Sequence, residues 1–158
     1  FEIGYKYQMT DLGASVGLEG LKDFNKVLKH RKDIFNIYLE KLSKNKNIKC
    51  VHKDDGKRTH AAWLFTIISR KKDFIQKKLR ERRIESNQVH FRNDRYDCTA
   101  KYEEAPLPGV DIFTETQVCI PNGWWLNNQD LEFIVKNQRI LCQQMDALPI
   151  LIIYICSF

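Results

Sequence analysis

Ala14, Leu18, Leu21, Phe24, Leu28, Phe35, Tyr38 and Leu42 recur mostly at three- and four-residue steps. That spacing gathers apolar side chains on one face of a helix, and here it predicts a single long one. Lys22, Asp23, Lys26, Lys29, Lys32, Asp33 and Lys41 fall on the other faces. Thr10 and Asp11 supply the start, a capping hydroxyl followed by a carboxylate at the positive end of the helix dipole. Gly13, Gly17 and Gly20 weaken the first turns, since each costs about 1 kcal/mol against alanine. Their spacing predicts either a second backbone packed closely against them or a frayed first turn. A helix of this length must cover its stripe with something, and the rest of the chain offers short strands and further helices.

Lys44 to Lys57 is a polar connection containing a short strand candidate, Ile48 to Val51. Ala61 to Ile68 has the continuous apolar, β-branched character of a buried strand. An amphipathic helix is predicted over Asp73 to Arg83, with Phe74, Ile75, Leu79 and Ile84 as its apolar set, and a strand over Ile84 to Phe91. Pro106 and Pro108 mark Arg92 to Gly109 as loop. Val110 to Thr116 reads as a short helix and Val118 to Pro121 as a strand. Asn127 or Asn128 then caps a helix carrying Leu131, Phe133, Ile134 and Val135. Helices and strands alternate without repeat or long linker, which predicts one small α/β to α+β unit. Leu148 to Cys156 is apolar without periodicity and too short for a bilayer, which needs about 20 residues. It reads as a final buried strand or as a tail foreign to the domain.

The 158 residues suffice for one domain with a core, and the net charge of +6 favours an anionic partner without choosing its class. Five cysteines, Cys50, Cys98, Cys119, Cys142 and Cys156, are odd in number and scattered, with no zinc-ligand spacing. They read as reduced thiols of a cytoplasmic protein. His30 and His52 stand among lysines and read as solvated. No secretory signal opens the chain, and Phe1 reads as an internal or processed start.

Gly4-Tyr5-Lys6-Tyr7-Gln8-Met9-Thr10-Asp11 running into a long helix resembles the Gly-Tyr-x-Tyr-x-Met segment of DegT/StrS-type sugar aminotransferases. Weaker matches follow in order: Trp63-Leu64-Phe65 as a central strand, Arg82 to Ser86 where relatives often read Gly-Ile, Gln88-Val89-His90-Phe91 as a substrate-facing strand. Val118 to Pro121 and the closing helix from Asn127 complete the series. The resemblance covers Gly4 to about Gln138. It implies that residues 1–138 form the small C-terminal domain of the aspartate-aminotransferase architecture (PLP fold type I), a long first helix packed on a short sheet with further helices. Residues 139–158 are then an atypical apolar tail, and the large cofactor-binding domain is absent.

The resemblance also implies pyridoxal 5′-phosphate as cofactor, a homodimer with active sites at the subunit interface, a nucleotide-linked keto-sugar as substrate and an amino acid such as glutamate as donor. Lys6 occupies a position that is commonly Asn and faces the cofactor phosphate; an ammonium suits a phosphate as a compact charge, and the other reading is an exposed loop lysine. Tyr5 and Tyr7 flank cofactor or substrate, or pack an interface. In His90-Phe91-Arg92-Asn93-Asp94-Arg95-Tyr96, strand alternation would put His90 and Arg92 on one side. They are the candidate substrate contacts together with Asn93, Arg95 and Tyr96, Arg92 because a guanidinium grips phosphate bidentately. The other reading pairs Asp94 with Arg95 in a surface loop.

The Schiff-base lysine, the acid facing the pyridine nitrogen and the stacking aromatic belong to the preceding domain in the family. No lysine here stands in a comparable context, so the chain alone is expected not to transaminate. A sugar dehydratase of the same family, with histidine in place of that lysine, fits this segment equally. A degraded or truncated product describes the fate of the piece rather than its ancestry. Arg70-Lys71-Lys72 with Lys77, Lys78, Arg80, Arg82 and Arg83 could bind nucleic acid. Against that, aromatics are not interleaved with the charges and no helix-turn-helix or zinc signature is present. A membrane partner is not expected.

Overall fold

A computed structural model describes residues 8–51, 57, 59–102 and 106–143. The helical stripe forms two helices rather than the one expected: α1, Asp11–Lys22, and α2, Phe24–Leu42. Thr10 caps α1 as its sequence predicts, its hydroxyl accepting from the Gly13 amide at 3.1 Å. The break falls at Asp23, whose φ of −96° and ψ of −1° lie off regular helical values. Burial explains why the helix does not run through. No residue of α1 is buried, whereas α2 buries Ile34, Phe35, Tyr38 and Leu42. A glycine-weakened helix with no packed face has only local hydrogen bonds to keep it in line with its neighbour. The close backbone expected at the glycines is not found. A Cβ at Gly17 or Gly20 would meet nothing within 4 Å, and one at Gly13 would meet its own cap, Thr10 Oγ1.

The sheet has three antiparallel strands, β1 (Lys49–Cys50), β2 (Phe65–Ile68) and β3 (Gln117–Ile120), in the order β1-β2-β3. Phe65 pairs with Ile120 and Ile68 with Gln117. Alternation turns Phe65 and Ile67 toward the helices, where both are fully buried. The strand expected from Ala61 starts only at Phe65, because Ala62 takes a φ of +50° that extended backbone cannot accommodate. Ala62 is pinned there, donating to His60 Nδ1 at 3.0 Å and accepting from Asn122 Nδ2 at 2.7 Å.

α3 spans Lys72–Glu81 and buries Ile75 and Leu79. It stops short of the expected Arg83 in a Schellman motif: Arg83 N–H reaches Arg80 O and Ile84 N–H reaches Leu79 O, each at 2.9 Å. That motif sets Arg83 at φ +58°, a conformation glycine adopts freely and arginine at a cost of about 1–2 kcal/mol. Arg83→Gly is therefore expected to raise stability by roughly 1 kcal/mol, less than the full relief because glycine also gains freedom in the unfolded chain. Urea midpoints of the two proteins check this, and an equal or lower midpoint for the glycine variant would sink it.

α4 spans Pro108–Thr116 with proline in its first turn, and α5 spans Asn128–Gln143. Asn127 and Asp130 cap α5 reciprocally, side chain to backbone amide, at 3.0 and 3.1 Å. Leu131, Ile134 and Val135 are buried, while Phe133 of the predicted apolar set is about half exposed (51%). The helix runs through Gln138 to Gln143, across the boundary drawn from sequence at 138/139. Leu148 to Cys156 lies outside the described residues. Tyr38, Phe35 and Phe65 form the centre of the core, with ring centroids 4.8 Å apart for Phe35–Phe65 and 5.0 Å for Tyr38–Phe65. α2, α3 and α5 cover one face of the sheet around them.

Candidate functional site

Residues 84–91, expected as a strand, pair with the sheet only at Asn87, which exchanges hydrogen bonds of 3.2 and 2.8 Å with Cys119. Past that bridge no ladder constrains side-chain direction, and the shared side expected for His90 and Arg92 is lost. His90 is exposed, with its ring edge against the indole of Trp63 at 5.7 Å. The Arg92 side chain turns inward and is only 8% exposed. Its Nε donates to Asp94 Oδ1 at 2.8 Å, its Nη2 to Asp94 Oδ2 and its Nη1 to Asp111 Oδ1. The hydrogen bond from Arg92 holds the Asp94 carboxyl below the usual carboxylate range.

A 3₁₀ turn over Asn93–Arg95 and a second over Ala100–Tyr102 shape the loop that follows. Asn93 and Arg95 are exposed. Arg95 Nε stands 3.9 Å from Asp94 Oδ2, the expected pairing at its weakest. Tyr96 is half exposed and meets Phe91 edge-on at 5.3 Å. The structure thus joins His90 to Trp63 and Phe91 to Tyr96, while the guanidinium of Arg92 is taken up by Asp94 and Asp111. Tyr5, Lys6 and Tyr7 lie outside the described residues.

Sequence reasoning missed a cleft of about 220 Å³ beside His90, lined by Arg31, Trp63, Asn87, Asn122 and Trp125 among others. Arg31 Nη1 donates to Trp63 O at 3.4 Å, and Trp63 and Trp125 are 57% and 63% exposed. A tryptophan inside a strand-like apolar run reads as core. Its exposure here follows from the turn at Ala62, which no local signal announces. His30, read as solvated, instead bonds Leu126 O at 3.0 Å. Cys50, Cys98 and Cys119 are free thiols, and burial pushes the Cys50 thiol up to about 11. Among the described residues, no group of three or more His, Cys, Asp or Glu is placed to hold a metal ion. Nor is any helix long and apolar enough to cross a membrane. The cations around α3 are partly committed: Lys78 pairs with Glu81, and Lys72 bonds Gln88 and Thr114.

Helices on one face of a short antiparallel sheet, reached through a leading helix, reproduce the corresponding portion of sugar aminotransferases. The chain belongs to the DegT/DnrJ/EryC1/StrS aminotransferase family, whose profile matches residues 2–139. It is 26% identical over 139 residues to a GDP-perosamine synthase of Escherichia coli O157:H7, covering 85% of this chain and 37% of that protein. Among solved structures it is similar to the sugar aminotransferase CalS13 from Micromonospora echinospora, with 26% identity and a TM-score of 0.77. That likeness covers 85% of this chain and 36% of CalS13. AtS13 from Actinomadura melliaura matches with 27% identity and a TM-score of 0.78, over 88% of this chain and 37% of that one. The chain thus spans a little over a third of the length of the relatives it matches.

Proposed function

We propose that this chain is the C-terminal domain of a cytoplasmic, pyridoxal-phosphate-dependent aminotransferase that moves an amino group from an amino acid, glutamate first, to a nucleotide-linked keto-sugar. The observation that carries this reading is the family match over residues 2–139, from the Gly-Tyr-Lys-Tyr-Gln-Met segment through most of α5. On this reading the 158 residues by themselves do not transaminate, because no lysine in the sequence stands in the strand-end context of a Schiff-base lysine. The working unit is a homodimer, and the exposed apolar residues Leu12, Leu18, Leu21 and Phe24 of α1 and its junction suit burial in that assembly.

The donor set fits the cofactor in its chemistry: Lys6 offers an ammonium and Tyr5 and Tyr7 two phenolic hydroxyls, all suited to a phosphate ester. When bound, the cofactor supplies the electron sink that lets an amino group leave one carbon and join another. This chain's own residues work at the periphery of that chemistry. Lys6 would hold the phosphate, Tyr5 and Tyr7 would flank the cofactor or substrate, and His90 would meet the substrate, with Asn93, Arg95 and Tyr96 contributing from the loop.

A chimera tests the reading: residues 2–139 replace the matching segment of the GDP-perosamine synthase, and amino transfer from labelled glutamate is followed. Transfer by the chimera, lost in Lys6→Ala and reduced in His90→Ala, is the expected result. A folded, cofactor-loaded chimera that transfers nothing overturns it. Transfer by the isolated 158-residue chain would overturn the claim that it is inactive alone.

A further inference from the structure

His90 sits in a stretch of backbone that the sheet does not hold, because ladder pairing ends at Asn87. Two cations hold it instead, and both do so through α4. Lys72 Nζ donates to Gln88 Oε1 and to the carbonyl of Thr114, each at 2.9 Å. Gln88 passes the connection on, its Nε2 donating to the His90 carbonyl at 3.3 Å. On the far side of His90, Arg92 binds Asp111 as well as Asp94. Asp111 and Thr114 lie three residues apart on α4, so the two anchor points stack on one side of that helix.

The charges suit their places. Thr114 lies in the last turn of α4, where unpaired carbonyls carry the negative end of the helix dipole and an ammonium is favoured. Arg92 spans two carboxylates, an arrangement a planar guanidinium with five donors serves better than any other side chain. Both edges of Arg92 used here are occupied within the chain, whereas the imidazole of His90 is exposed.

We infer that Lys72, Gln88 and Arg92, anchored on Asp111 and Thr114 of α4, are positioning residues that hold the His90 ring against Trp63. This rests on the reading of His90 as a substrate contact. The rack sets the direction of the imidazole before substrate arrives, a role the sheet would otherwise play. Lys72 belongs to the basic run whose sequence suggested nucleic acid, and Asp111 to a helix outside the loop motif.

The test uses the 158-residue chain, with Lys72→Met, Gln88→Ala and Asp111→Asn compared with the parent by NMR and hydrogen exchange. Each variant is expected to shift the ring-current signals of His90 and weaken its cross-relaxation with Trp63. Amide exchange over Val89–Arg92 should rise about tenfold or more, as loss of a charge-assisted hydrogen bond implies. Lys72→Arg should restore part of the parent spectrum. Gln88→Ala removes no core packing, so it keeps the test decisive if Lys72→Met does not fold. Unchanged His90 signals and exchange in folded Gln88→Ala and Asp111→Asn overturn the inference. Failure of the substrate reading is distinguishable. In the chimera described above, His90→Ala would then leave amino transfer untouched while the His90 signals of the isolated chain still respond to loss of the rack.

Discussion

Tyr38→Ala is expected to destabilise the chain by about 3–5 kcal/mol, the range for emptying a large aromatic site in a core. Tyr38 is fully buried, packs its ring at a tilt against Phe65 with centroids 5.0 Å apart and donates its hydroxyl to Pro121 O at 2.9 Å. The loss is a large part of the 5–15 kcal/mol that holds a typical domain together. Tyr38→Phe keeps the ring and removes the hydrogen bond alone, so about 1 kcal/mol is expected. Urea unfolding of the three proteins separates the packing and hydroxyl contributions, and a loss below about 1 kcal/mol for the alanine variant would contradict the burial that underlies it.

The same hydroxyl gives a pH signature. Burial, and secondarily the charge of Asp130, raise the Tyr38 phenol above its ordinary value. An unfolded tyrosine ionises near pH 10, about where stability from the neutral folded phenol starts to fall. Below that pH the contribution is complete. Above it the parent should lose stability faster than Tyr38→Phe, and parallel alkaline curves would refute the assignment.

Gln138→Met is expected to act in the opposite direction, stabilising by about 1–3 kcal/mol. Gln138 has no exposed surface, and among the described residues neither its Oε1 nor its Nε2 has a hydrogen-bond partner. Each buried polar atom without a partner costs free energy that a methionine of similar shape does not incur. For a chain of this length 1 kcal/mol corresponds to roughly 2–4 °C in Tm. Calorimetry of the two proteins decides the matter. A lower Tm for Gln138→Met would mean that the amide is satisfied in solution, and the reading of α5 as closing the core at that point would be wrong.

Family membership was legible in the sequence through an ordered series of short matches rather than through any one site. Gly4 to Asp11 named the family, and the later segments kept the same order to α5. Secondary structure was legible wherever periodicity coincided with burial: the Ile34–Leu42 half of the first stripe, α3, β3 and α5. It failed where propensity and packing diverged. The α1 stripe has helical spacing but finds no burying partner among the described residues, so its apolar residues stand exposed there. Residues 84–91 have strand composition, yet only Asn87 finds an edge to pair with.

The caps are the sequence's own work, because Thr10, Asn127 and Asp130 satisfy backbone amides within three residues of themselves. Local chemistry of that kind needs no distant partner. The Schellman turn at Arg83 lies between the two cases: the helix end is local, but an arginine tolerates positive φ only because Ile84 and Leu79 are both buried beyond it. The direction of His90, the inward turn of Arg92 and the exposure of Trp63 were decided only once the tertiary structure was in place. Each also depends on residues far away in the chain, Lys72 on Thr114, Arg92 on Asp111 beyond its neighbour Asp94, and Ala62 on Asn122 beyond its neighbour His60, and contacts across such separations leave no period or motif to read.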